Sequence, residues 1–410
     1  MKNSITILAN KILNHKRTIG IHKTILLFTF VLMMQLSSCQ KKENKTEKKS
    51  YDEKFYWNAV ACTPKGYPVT LISTNLLHSQ EGKEYNEFSS QGGKYTTDIS
   101  NHDETDGSSW GGSGNVGRNG SNPAPDRLDM MWYSPTENKI YEAKLKLPKK
   151  KIYDLFKEGY MFYKIYDDKK ALHWETYDNL TVGLAPKGMV VLWMCKYNQI
   201  EIGRYQAQEV SKVETDEIFK EELAYLLING KRPKIISKEQ LKNREIPPKI
   251  IEKIKQGTIS CKQWDDYRLR YNWKVGFNKP LKMYRYFIEY YNGEKQHYLP
   301  PRVSQEEYNK KILEPSSKVI PNYINMYVTA KNGRNYQLLL CPPDEVETIE
   351  AFQKLEEASP KAIITVFITV DDDFKKFSVT LKNDKKEIIL EKALLRLFTL
   401  DKSNDLSNEK

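Results

Sequence analysis

Val190-Val191-Leu192-Trp193-Met194-Cys195, then Lys196-Tyr197-Asn198-Gln199, then Ile200-Glu201-Ile202-Gly203-Arg204-Tyr205-Gln206: the reading of this stretch decides the fold. A continuous apolar run this short fits a buried strand. The polar tetrapeptide reverses the chain, and 200–206 returns beside the first strand, which makes an antiparallel pair. The same grammar extends outward. Residues 128–134 read as a strand, 135–138 as a turn, and 139–147 as the hairpin partner. In that partner Ile140, Glu142, Lys144 and Lys146 alternate with Tyr141, Ala143, Leu145 and Leu147. Upstream, 55–62 and 69–72 flank the Pro/Gly punctuation of Thr63-Pro64-Lys65-Gly66-Tyr67-Pro68. Downstream, 273–277 and 284–291 are strands, and Asn292-Gly293 supplies the turn to His297-Tyr298, because both turn residues accept positive φ.

Ahead of residue 300, helical spacing is found in 149–158, through Ile152, Leu155 and Phe156, and in the Lys/Glu-rich 214–257, divided by Pro247-Pro248. Residues 101–126, rich in Gly, Ser, Asn and Asp, read as a long loop. The 26 tyrosines add to the β reading, since Tyr suits half-exposed sheet faces. The last hundred residues read as a smaller unit: strands at 325–329 and 336–340, a helix at 344–357, then strands at 362–370, 377–381 and 387–390. The expected class is α+β: a predominantly antiparallel sheet body with charged helices, and a carboxyl-terminal α+β unit. The expected divisions are 54–301, with a candidate sub-boundary near 210–260, then 316–402, then a disordered tail at 403–410. Trp57 and Trp273 open similar strands, a hint of a repeat.

The amino terminus reads as an export signal. A basic stretch through Lys23 precedes an apolar run from Ile25 to Met34, too short to span a bilayer but suited to a signal peptide. Leu36-Ser37-Ser38-Cys39 resembles a lipobox, so residues 1–38 are expected to be removed and Cys39 to be lipidated. Residues 39–53 are polar and Lys-rich, a flexible tether. Removal of the leader takes five of the 65 basic residues and none of the 53 acidic ones, so the charge falls from +12 to +7. The expected address is the envelope, with the protein held through lipidated Cys39 in the outer membrane, at its periplasmic face or the cell surface. No Arg-rich patch tracks a nucleic-acid backbone, so nucleic acid is not an expected partner.

Catalytic and metal signals fail on context. Gly107-Ser108-Ser109-Trp110-Gly111 spells a nucleophile elbow around Ser109, but a polar, glycine-rich loop surrounds it where the chemistry needs strand and helix. Gly112-Ser113-Gly114-Asn115-Val116-Gly117 lacks the βαβ setting of a dinucleotide site. His102 spoils the calcium-loop pattern of 102–107, and Asp371-Asp372-Asp373 reads as a turn. His78, His102, His173 and His297 are scattered, and the cysteines have no metal-ligand spacing. Cys62, Cys195, Cys261 and Cys341 permit two disulfides in three pairings; buried thiols are the alternative, and Cys195 reads as one. No cofactor, metal or catalytic residue is expected.

Trp57 with 63–68, Pro123-Ala124-Pro125-Asp126-Arg127-Leu128 with Trp132-Tyr133-Ser134, and above all Gly183-Leu184-Ala185-Pro186-Lys187-Gly188-Met189 leading into 190–193 resemble the domain of unknown function 2931 family, over roughly 55–300. Lys187 departs from the Gly-Gly turn usual in that family. The resemblance implies a lipoprotein without assigned activity, and by association an immunity role beside secreted antibacterial effectors. The leading expectation is therefore a non-enzymatic lipoprotein that binds a protein partner. A surface glycan-binding lipoprotein is the alternative, and a hydrolase using Ser109 comes last.

Overall fold

The computed structural model describes residues 51, 53–67, 69–78, 83–87, 110–112, 115–116, 120–134, 136–163, 172–210, 247–340 and 344–400. Cys39 and the leader, Ser109, most of the Lys/Glu-rich helical stretch, Cys341 and the tail lie outside them.

The first half of the body is built from β1 (Lys54–Cys62), β2 (Thr70–His78), β3 (Lys83–Glu87), β4 (Asn115–Val116), β5 (Gly120–Pro123), β6 (Arg127–Ser134), β7 (Lys139–Lys146), α1 (Lys149–Glu158), β8 (Tyr160–Tyr163), β9 (Leu172–Glu175), β10 (Asn179–Ala185), β11 (Met189–Cys195), β12 (Gln199–Gln206) and β13 (Gln208–Glu209). Two short helices follow, α2 (Pro248–Gln256) and α3 (Lys262–Asp266). The second half comprises β14 (Arg270–Phe277), β15 (Lys282–Tyr290), β16 (Lys295–Gln296), α4 (Gln305–Leu313), β17 (Ser316–Val319), β18 (Pro321–Thr329), β19 (Asn335–Leu340), α5 (Glu345–Ala358), β20 (Ile364–Val370), β21 (Phe377–Lys382), β22 (Glu387–Ile389) and β23 (Leu395–Leu400).

The pairing reveals that the two halves are copies of one design. In the first, β5-β1-β10-β11-β12 forms one layer and β3-β2-β6-β7-β13 the other. In the second, β17-β14-β20-β21-β22 and β16-β15-β18-β19-β23 repeat both layers, strand for strand and in the same chain order. Each copy has one parallel pair, β1 with β10 and β14 with β20, and in each a helix (α1 or α5) precedes the second strand of that pair. The bulges coincide as well. β2 skips a residue between Leu71 and Ser73, and β15 does so between Met283 and Arg285.

Packing repeats with the topology. Trp57 and Trp273 are fully buried. The Trp57 indole donates to the Asn122 carbonyl at 3.1 Å, and that of Trp273 to the Val319 carbonyl at 3.0 Å. Phe156 of α1 lies 6.1 Å from Trp57 and 5.0 Å from Phe55; Phe352 of α5 lies 6.4 Å from Trp273 and 5.4 Å from Tyr271. An indole N–H left without an acceptor in such a core would cost about 1–3 kcal/mol, which ties each Trp to the strand that returns beside it.

The copies join head to tail. β16 pairs with β15 on one side and meets β12 on the other at Gln199↔Lys295, so that a layer from each copy fuses into one eleven-stranded sheet. Its central first-copy strands, β10 and β11, are buried on both faces. Val190, Leu192 and Met194 face the first core; Val191, Trp193 and Cys195 face the larger second core. Trp110 seals that second face, packing 5.1 Å from Trp193 and 6.0 Å from Trp264 of α3. Beside it the Gln199 amide donates to the Gly111 carbonyl at 2.6 Å. A Cβ on Gly111 would come within 2.9 Å of the Gly293 Cα, so the two backbones can approach this closely only as glycines. Arg204 holds Asp265 through two contacts at 3.0 and 3.1 Å, and Arg268 holds Glu201 at 2.8 Å, fixing the α3 segment to β12.

One expectation changes. Within 101–126, residues 120–123 are a strand, because pairing with β1 supplies what its Gly-Ser-Asn-Pro sequence lacks. β15 and β18 pair across residues 301–316. Cys62, Cys195 and Cys261 are free thiols. Cys62 stands opposite Gly183 and Cys195 opposite Asn179, four positions apart along β10, so about 13 Å separates them along the strand direction, beyond disulfide reach. Burial pushes both thiols up to about 12.

Candidate binding face

The second copy's meander, β15-β18-β19-β23, buries one face against α4 and its own partner layer through Tyr286, Ile288, Ile324, Met326, Val328, Tyr336 and Leu338. Its other face is half-exposed. Residues opposite one another in an antiparallel pair point to the same side, so the register reads out the rows of this face directly. One row runs Arg285, Tyr327, Gln337, Phe398; the next runs Phe287, Asn325, Leu339, Arg396; Glu289 and Tyr323 begin a third.

The rings are close. Phe287 lies 5.9 Å from Tyr327, 5.6 Å from His297 and 6.1 Å from Tyr298, with the Arg285 guanidinium 4.5 Å above its ring. The Gln337 amide donates to Asn325 Oδ1 at 3.1 Å and to the Tyr327 hydroxyl at 3.2 Å. Phe398, at the outer end of its row, is 46 % exposed.

At its inner end the face meets a wall of tyrosines from the first copy. Tyr298 stacks on Tyr160 at 6.0 Å and meets Tyr197 edge-on at 5.5 Å, and Tyr160 packs on Tyr177 at 5.3 Å. The hydroxyl of Tyr160 accepts from the Tyr197 backbone N–H at 3.2 Å. Buried Asn198 fixes the corner: its Oδ1 accepts from the backbone N–H groups of His297 and Tyr298 at 2.8 and 2.9 Å, and its amide donates to the Tyr298 carbonyl at 3.1 Å. Tyr197 stands exposed at the rim. Burial pushes the Tyr160, Tyr177 and Tyr298 hydroxyls up, so all stay neutral donors at ordinary pH.

The face is basic. Lys282, Arg285, Lys295 and Arg396 stand against one acid, Glu289. Burial opposes charge on Glu289, but the hydrogen bond from His297 and the Lys295 ammonium outweigh it and hold the carboxyl below its usual range. Lys295 lies 3.2 Å from Glu289 and His297 2.8 Å.

The equivalent face of the first copy is built otherwise. Met131 is buried where the second copy has Tyr327; Asp129 pairs with Arg127 at 2.7 Å and Glu142 with Lys144 at 2.8 Å. Asp129 occupies the place of Asn325, and Lys144 that of Leu339. The scaffold is shared and the chemistry is not.

The residues singled out from sequence alone are not brought together here. Trp110, in the elbow-like motif, is a buried plug. His78 is buried beside Lys149 of α1, and Asp371 accepts the Lys375 backbone N–H at 2.6 Å inside a turn. Among the described residues no group of three or more His, Cys, Asp or Glu is placed to hold a metal ion, and no helix is long and apolar enough to cross a membrane. Sequence reading missed this candidate face because it depends on the β15 bulge and on β23, neither of which alternation announces.

The family model described as Protein of unknown function (DUF2931) matches residues 40–261, which takes in the first copy and stops before β14. No curated protein matches the chain, and no solved structure does.

Proposed function

The chain belongs to the DUF2931 family, and we propose that it is a membrane-anchored envelope lipoprotein, held through Cys39, whose body binds a protein partner without acting on it as an enzyme. The observation that supports this reading is the contrast between the copies. Where the first meander satisfies itself with ion pairs, the second presents Tyr, Phe and Arg in ordered rows. Those residue types dominate the energetic centres of protein interfaces, because their rings and forked guanidinium bury large contact area at little entropic cost. The most concrete version is an immunity-type protein that neutralises a toxin acting in the periplasm.

Two measurements test it. Labelled fatty acid is incorporated into the wild-type chain and not into Cys39→Ser. A tagged body is used to capture proteins from envelope extracts and culture supernatants, beside Phe287→Ala and Tyr327→Ala. One stoichiometric protein, held by the wild type and weakened about thirtyfold or more by either variant, is the expected result. Equal capture by all three sinks the assignment of the face. Capture of glycan and no protein transfers the face to the alternative reading, in which half-exposed rings beside the Asn325 and Gln337 amides stack on sugar. Growth protection against the captured protein, lost in the same variants, sharpens the immunity version.

A further inference from the structure

The eleven-stranded sheet ends at β23, Leu395-Arg396-Leu397-Phe398-Thr399-Leu400, which is paired over all six residues with β19 on one side and with no described strand on the other. Exposed edges of this length are templates for pairing and are normally blunted by shortness, charge or proline. The other outer strands are. β4 and β13 have two residues each, β3 carries Lys83, Glu84 and Glu87, β22 has three residues and follows Lys385-Lys386, and β17 follows Pro315 and carries Lys318. β23 has six residues, a single charge and no proline, and Phe398 and neighbouring Leu394 are exposed.

We propose that β23 pairs antiparallel with β23 of a second copy of this chain. The molecule already extends this sheet once by adding an edge of one half to an edge of the other, at β12 and β16, and the new pair continues that construction. The pleat restricts the register. Arg396 and Phe398 lie on the open face, so they must meet residues on the open face of the second copy. With Leu397 on the two-fold axis, Arg396 stands opposite Phe398 of the second copy, and Phe398 opposite its Arg396. The two guanidinium groups are kept apart, and each faces a ring. The rows of the binding face then run on from one copy into the next. The proposal does not depend on the partner assigned above. A single strand pair buries little surface, so the association is weak in solution and gains from confinement on a membrane.

Residues 51–410 form one compact unit, and the test uses this body in sedimentation across a wide concentration range, with melting curves to confirm that each variant is folded. The expected result is a reversible monomer–dimer equilibrium. Phe398→Lys sets like charges opposite Arg396 and should weaken the dimer at least tenfold. Adding Arg396→Glu to Phe398→Lys creates a Lys–Glu pair at both crossings and should restore most of that loss, which a merely damaged fold would not do. A body that stays monomeric throughout, a dimer indifferent to Phe398→Lys, or a loss that Arg396→Glu does not recover would each overturn the pairing.

Discussion

The two copies use the same ten strands and one helix, yet their first layers live in different surroundings. In the first copy β10 reads Asn-Leu-Thr-Val-Gly-Leu-Ala and is buried at every position from Leu180 to Ala185. In the second, β20 reads Ile-Thr-Val-Phe-Ile-Thr-Val, with Ile364, Val366, Ile368 and Val370 buried and Thr365, Phe367 and Thr369 half-exposed. The difference follows from position. The first layer is covered by Trp110, α3 and the second copy, whereas the second layer meets solvent, and Lys382 caps Phe367 there at 3.5 Å. A sheet covered twice needs continuous apolar residues and one covered once needs alternation. Duplicated topology can therefore persist while residue patterns diverge, which accounts for a family match that covers one copy of two.

Alkali should have the largest effect on this comparison. Burial raises Tyr141, Tyr160 and Tyr177 in the first copy and Tyr286, Tyr290, Tyr291 and Tyr308 in the second. A folded pKa above the unfolded value of about 10 gives stability that is complete below pH 10 and lost as pH rises through the folded values. Tyrosinate absorbance should therefore appear in one steep step coincident with unfolding above pH 10; gradual, independent titration would show that these rings are not held as described. Next, Trp57→Ala and Trp273→Ala should each cost about 3–5 kcal/mol in urea melts. A large cost for one and little for the other would break the equivalence of the copies.

Gly183 and Thr369 occupy matching places in β10 and β20. A Cβ on Gly183 would come within 2.5 Å of the Trp193 ring, whereas Thr369 already carries its side chain on an open face. Gly183→Ala should cost about 1–3 kcal/mol and Thr369→Ala under about 1 kcal/mol; similar values would remove the distinction between the two faces. The smallest effect is expected at Lys187, which adopts φ 62° while its N–H donates to buried Glu137 at 3.1 Å. Lys187→Gly should raise stability by about 0.5–1 kcal/mol, since glycine adopts this conformation without a Cβ penalty. That strain also gives a physical reason for the glycine usual in the family at this turn.

Local patterns in the sequence were legible where they were strong. The 149–158 helix and the hairpin of 128–147 stand where period and turn residues place them. β5 was not legible, because Gly120-Ser121-Asn122-Pro123 has no apolar period and owes its conformation to β1. β23 was passed over behind Glu391-Lys392-Ala393, since a short leucine-rich run has no distinctive period. The duplication showed in sequence only as the pair Trp57 and Trp273; its signature is the order of pairing, which a single chain of letters does not carry. Of the candidate binding face, the aromatic content was visible. Which aromatics remain uncovered was not, because it depends on where the first copy ends as a wall and the second begins as an open floor.

The placement of β1 has a mechanical consequence. The strand that begins the body is not at an edge: it lies between β10 on one side and β5 and β4 on the other. A pull on the chain ahead of Lys54, directed along the strand, loads its cross-strand hydrogen bonds in shear, all at once. A pull on the chain beyond Leu400 peels β23 from β19 bond by bond. A body pulled from its amino-terminal side is therefore gripped at its stronger end, and one pulled from its carboxyl-terminal side at its weaker end.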